Sequence, residues 1–158
     1  MNNVTFGGTD SRTGKPFAYY ETLGGGQGAC ENSDGPSCVH VAMSNTLNTP
    51  VEALELEFPL RAVTYARRWD SGGEGKHHGG DGVIREIQAL APMSFSLITE
   101  RRVVAPAGAA GGRDGSVGVN SLNDQALPAK VIGTLEAGDR LRIETPGGGG
   151  FGENPTWT

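Results

Sequence analysis

The stretch RIETPGGGGFGENP, residues 142–155, sets four consecutive glycines directly behind an alternating, strand-like run. Glycine clusters in that position serve as phosphate cradles, flexible linkers or tight structural turns. The phosphate reading fails on the residues after the tract. A P-loop needs Lys and Ser/Thr after its last glycine, and a dinucleotide loop needs G-x-G-x-x-G opening a helix. Here the next residues are Phe151, Gly152, Glu153, Asn154 and Pro155, and Pro146 holds Thr145 extended. The readings that remain are a structural glycine turn that lets backbone pack closely after a final strand, with Phe151 as its anchor, and a bound ligand.

The rest of the chain is read against that turn. Of its 158 residues 26 are glycine, more than twice the usual share of roughly 7%, yet with 9 prolines it stays below low-complexity disorder. The glycines lie between strand-like segments, so they punctuate a β-rich chain. With 13 Lys and Arg, a net charge of -5 and 6% aromatics, the basic footprint for nucleic acid or anionic lipid is missing. No apolar run nears the roughly 18 residues of a membrane span, and MNNVTFGGTD is no signal peptide. A soluble, cytoplasmic protein is expected. Two cysteines make no disulfide scaffold.

Strand candidates are KPFAYYET (15–22), CVHVAM (38–43), RAVTYARR (61–68), VIREIQAL (83–90), MSFSLITERRVV (93–104), KVIGTL (130–135) and EAGDRLRIET (136–145), the last with a turn at Gly138-Asp139. Residues 105–124 read as a loop of small residues. A short helix starts at Thr49 as N-cap, Pro50 in the first helical position and Glu52 completing a capping box, and ends before Pro59. A strand through Leu54, Leu56 and Phe58 is its rival. The expected fold is a single mainly-β domain over 1–158, a β-sandwich or barrel-like, with about six or seven strands and one or two short helices.

Four clusters hold chemistry-bearing side chains. Cys30, Cys38 and His40 have no common zinc spacing, so partly buried paired thiols compete with a metal site, and Cys38 and His40 also share a strand parity that suits nucleophile and base. His77, His78 and Asp81 sit in a glycine-rich turn. The run ERR at 100–102 reads as a solvated strand end, with pairing of Arg101 or Arg102 to a carboxylate as the alternative. The densest cluster, HVAMSNTLNTPVE, offers His40, Asn45, Thr46, Asn48 and Thr49 to a small polar ligand, against the alternative that they satisfy turn backbone.

Taken together, MNNVTFGG, YYETLGGGQGA, NTLNTPVEALELEFPLR, DSGGEGKHHGGDGVIRE, TERR and AGDRLRIETPGGGGFG cover nearly the whole chain in order. They resemble the C-terminal part of the hydantoinase B family, which includes N-methylhydantoinase B subunits, the matching half of 5-oxoprolinase and the large subunits of acetone and acetophenone carboxylases. The resemblance implies a component of an ATP-dependent cyclic-amide hydrolase. It would act in a hetero-oligomer with an ATP-using hydantoinase A-type subunit and the N-terminal portion of the B-type subunit, with catalytic roles for His40, Asn45, Thr46 and Asn48. The alternatives it leaves are a ketone carboxylase component and a non-catalytic structural subunit. ATP and a divalent metal are expected in the full complex and none on this chain alone, which is therefore expected to be inactive. In the family MNN lies inside a longer chain whose preceding region carries His/Asp-rich motifs, so the chain resembles a split C-terminal piece, an excised domain or a processing product. Where the family has H-x-H-M this chain has HVAM, so Ala42 replaces the second histidine and His40 remains.

Overall fold

Alternation of inward apolar and outward polar side chains produces most of the strands. In the computed structural model, which describes residues 1–41 and 44–154, the elements in chain order are β1 (Asn2–Thr9), β2 (Pro16–Thr22), α1 (Val51–Glu57), β3 (Leu60–Arg68), β4 (Gly82–Ala89), β5 (Met93–Thr99), β6 (Val119–Leu122), β7 (Gln125–Leu127), β8 (Lys130–Leu135) and β9 (Arg140–Glu144). The mainly-β expectation holds. The strands form two open antiparallel sheets, ordered β2-β1-β5-β8 and β3-β4-β9-β6-β7, and neither closes into a barrel. Their inner faces share one core. Val4, Phe6, Phe95, Leu97 and Leu135 come from the first sheet, Leu60, Ile87, Leu141 and Ile143 from the second, and Leu54 from the helix.

The strand count exceeds the expected six or seven, because three strands carry no clear sequence signal. MNNVTFGGT forms β1, whose glycines at 7 and 8 break its apolar alternation. The loop expected over 105–124 and the residues after it hold the hairpin of β6 and β7, four and three residues long, too short for a periodic signal. Asn123 (φ 47°) and Asp124 (φ 65°) make its two-residue turn in the left-handed region these residues tolerate. CVHVAM is not a strand where it is described: Cys38 has φ 57° and only Val39 pairs, with Gly25. β5 stops at Thr99 rather than Val104, since Arg101 turns left-handed at φ 58°.

The helix replaces its rival strand, but not through the expected capping box. Pro50 is the N-cap and no side chain caps α1. The Thr49 amide donates instead to Glu21 Oε1 at 2.9 Å. Extended Phe58 ends the helix before Pro59.

The glycine tract corrects the turn reading while keeping its close packing. Residues 147–150 form no turn and lie at the centre of a bundle of irregular segments. A side-chain Cβ at Gly147 would overlap the backbone of Ser71, at Gly148 that of Gln27, at Gly149 that of Ala107, and at Gly150 that of Glu74. Gly147 and Gly150 thus face the same segment, 71–75, while the two between face two others. A face recurring every third residue is the signature of a polyproline-II-like rod, which makes no internal hydrogen bonds and leaves its amides to neighbours. Three of those four amides are answered: Gly147 N–H donates to Ser116 O (3.2 Å), Gly148 N–H to Gly80 O (2.8 Å) and Gly150 N–H to Arg113 O (2.9 Å). Gly73, Ala29 and Ala109 N–H donate in turn to the carbonyls of Gly148, Gly149 and Gly150. Phe151 closes the rod by a two-way backbone pair with His77.

Asp81 ties the 69–81 excursion of this bundle to β3. Its Oδ1 accepts the amides of Ser71 (2.9 Å) and Gly72 (2.8 Å), and its Oδ2 accepts Arg67 Nε–H (2.7 Å). Burial pushes its pKa up, but the Gly72 and Ser71 amides and Arg67 outweigh that, and the carboxyl lies below its ordinary value. A depressed carboxyl stabilises the fold above its unfolded pKa of about 3.9 and loses that contribution as pH falls through the lower folded value. Asp81→Asn should therefore cost roughly 1.5–3 kcal/mol at neutral pH. In thermal melts against pH the difference from wild type should shrink below about pH 4; a gap independent of pH would contradict this.

Candidate functional site

Four of the residues in HVAMSNTLNTPVE reach a single polar chain. His40 follows Val39, which is pinned to Gly25, and its ring lies between Ser44 Oγ (Nδ1, 3.2 Å) and Asn48 Oδ1 (Nε2, 3.0 Å). Asn48 Nδ2 donates to Glu21 Oε1 (3.1 Å) and to the Thr22 carbonyl (2.9 Å), both pure acceptors. Its Oδ1 must then face His40, which puts the imidazole proton on Nε2. Nδ1 keeps its lone pair toward the Ser44 hydroxyl, whose single proton goes either to that nitrogen or to the Val41 carbonyl at 3.2 Å. An imidazole with one nitrogen fixed by a partner and the other basic is the arrangement that acid–base chemistry requires.

Asn45 and Thr46 are exposed, and among the described residues their side chains make no hydrogen bond. Asn45 (φ 27°) shapes the turn instead, its amide donating to Val41 O at 2.8 Å. Ala42 lies outside the described residues.

Beneath the network is a charge pair that sequence reasoning missed. Arg85 of β4 and Glu21 of β2 are inward-facing and buried, 3.5 Å apart between Nε and Oε2. The Tyr65 ring lies over the guanidinium at 4.6 Å. Among the described residues the Arg85 nitrogens, Glu21 Oε2 and the Tyr19 hydroxyl have no hydrogen bond, so charge attraction and the ring face hold the pair. Burial pushes the Tyr19 phenol up to about 12. The signal was in the strand parity: Glu21 follows Phe17 and Tyr19 on one face, and Arg85 lies between Val83 and Ile87 on another.

The other clusters come apart. Cys30 and Cys38 are free and exposed rather than paired and partly buried. Cys38 Sγ–H donates to Gly82 O at 3.4 Å, away from any nucleophile role with His40, which is held by Asn48. His77 lies 3.4 Å from Asp34, while Asp81 is taken by backbone amides and Arg67. Arg102 binds the carboxamides of Asn120 and Asn2 rather than a carboxylate.

At the junction of the sheets and the glycine bundle lies a cleft of about 350 Å3, walled by Leu23, Val39, Val41, Pro106 and Pro146, onto which Ser44 brings the His40 network. Among the described residues no three His, Cys, Asp or Glu side chains converge, and the amides of Gly147, Gly148 and Gly150 are donated within the bundle. Among the same residues no helix is long and apolar enough to cross a membrane.

The chain with these two facing sheets belongs to the hydantoinase B/oxoprolinase family, whose model matches residues 1–154. Among its relatives is 5-oxoprolinase 1 of Arabidopsis thaliana, 44% identical over 98% of this chain and 12% of the plant protein. The fold is also that of the ATP-dependent caprolactamase from Pseudomonas jessenii (TM-score 0.77, 22% identity, covering 95% of this chain and 28% of that one). It is shared as well with nucleotide-free acetone carboxylase (TM-score 0.67, 18% identity, 96% and 25%). The chain thus spans about an eighth of the plant relative and about a quarter of each solved chain.

Proposed function

We propose that this chain supplies ring-opening residues to an ATP-dependent cyclic-amide hydrolase of the N-methylhydantoinase and 5-oxoprolinase type. The observation that carries this reading is the oriented His40, with Asn48 on one nitrogen and Ser44, on the cleft wall, at the other. An amide carbon resists attack at neutral pH, and phosphorylating its oxygen makes the carbon attackable. That step is the part of a hydantoinase A-type partner, together with ATP and a divalent metal. This chain's part is to accept a proton from the attacking water at His40 Nδ1, by way of the Ser44 hydroxyl. Asn48, held by Glu21, keeps the ring in its tautomer.

The test is turnover of the reconstituted complex. His40→Gln and Asn48→Ala should each lower ATP-dependent ring opening by about 10²-fold or more while subunit assembly stays intact. Unchanged turnover would make the chain a scaffold. Bicarbonate-dependent carboxylate formation in place of ring opening would move it to the carboxylase branch.

A further inference from the structure

The cleft wall carries one charged side chain, and the proposed chemistry does not use it. Arg101 lines the cleft beside Ser44, Val39, Val41, Pro106 and Pro146. Among the described residues it has no carboxylate within ion-pair distance; its guanidinium makes a single long hydrogen bond, to the Ala105 carbonyl at 3.4 Å. Most other arginines differ. Arg12, Arg67, Arg68, Arg85, Arg113, Arg140 and Arg142 all face carboxylates, and Arg102 is saturated by carboxamides and a carbonyl.

The backbone at Arg101 is itself unusual. Its φ of 58° lies in the left-handed region, which costs a non-glycine residue roughly 1–2 kcal/mol. The Gly118 amide fixes that geometry by donating to the Arg101 carbonyl at 2.8 Å. Strain of this kind persists where the surroundings impose it, and it gathers at ligand sites. In a chain of net charge -5, an uncompensated cation in a cleft is also a local attractor for anions.

We propose that this cleft takes a small ligand with an apolar body and one oxyanion, and that Arg101 is the counter-ion that selects it. The choice of ligand body rests on the cyclic-amide reading: a five-membered lactam fits about 350 Å3, where its ring meets the valine and proline walls. The oxyanion is a carboxylate on the lactam or a phosphate, and both match a guanidinium in geometry and charge.

The test is calorimetric titration, without ATP, of the assembled complex that contains this chain. The probes are 5-oxoproline, 2-pyrrolidinone (the same ring lacking the carboxylate) and inorganic phosphate. The acid should bind at least about tenfold tighter than the neutral lactam, as one charge-assisted hydrogen bond allows. Arg101→Gln should erase that ratio and Arg101→Lys should keep part of it, both with an unchanged melting temperature. Phosphate that displaces the acid from wild type but not from Arg101→Gln supports a general oxyanion site; failure to displace it assigns the site to the carboxylate. Equal binding of acid and neutral lactam to wild type, no binding of any probe, or full selectivity retained in Arg101→Gln overturns the proposal. Binding and turnover report separately. Acid selectivity that depends on Arg101, alongside normal turnover in His40→Gln, would leave this inference standing and remove the catalytic one.

Discussion

Gly148→Ala is expected to yield little folded protein, or to lower Tm by more than 10 °C, roughly the effect of a 3–5 kcal/mol loss in a chain of this size. The added methyl would collide with the Gln27 backbone and with Gly28 N. Backbone already hydrogen-bonded on several sides has nowhere to move, unlike the tip of a long side chain. The control is Gly14→Ala. Gly14 has φ 70° and nothing within 4 Å of an added Cβ, so only the left-handed cost of about 1–2 kcal/mol applies. Equal effects of the two substitutions would refute the close-packing account. Loss of ATP binding in a Gly148 variant that folds and assembles would instead return the tract to a nucleotide role.

The second large effect concerns Glu21 and Arg85. Arg85→Met alone leaves Glu21 buried without its counter-charge, and Glu21→Leu alone does the same to Arg85. Each should cost about 3–5 kcal/mol, because an unpaired charge in a core is far worse than no charge. The double variant, with apolar groups of similar volume on both sides, should recover most of that stability. Turnover should not recover with it, since Asn48 and the Thr49 amide both need Glu21 Oε1 as acceptor. Denaturant melts and ATP-dependent ring opening, measured on all four proteins, separate the two outcomes. Recovered activity in the double variant would show that Glu21 serves the fold alone.

Most of the sheet framework was legible, because strands such as KVIGTL and VIREIQAL show their parity and composition over several residues. The elements that were not legible are held by backbone rather than by side-chain pattern. The hairpin of β6 and β7 depends on two left-handed residues, and the glycine bundle depends on hydrogen bonds between segments distant in sequence. In the site, His40 and Asn48 stand out as polar residues beside apolar ones. Glu21, Arg85 and Ser44 do not, since a charge at an inward strand position shows only once the register is known. Thr49 reads as a helix cap because its side chain suits one, whereas its amide is needed by Glu21.

The rod at 147–150 also sets an order of events. It is the last in sequence of the segments it joins, after 26–29, 71–80 and 106–116; those segments bond to it and also directly to one another, as Gly80 N–H does to Gln27 O and Arg113 N–H to Glu74 O. Contacts between residues so far apart form slowly, since the intervening chain must be closed before any of them is gained. The two sheets have local hairpins such as β1 with β2 to begin from. On a growing chain the contacts of the tract itself cannot form until it is made, and the cleft beside Ser44, whose wall includes Pro146 and Gly147, is completed only then.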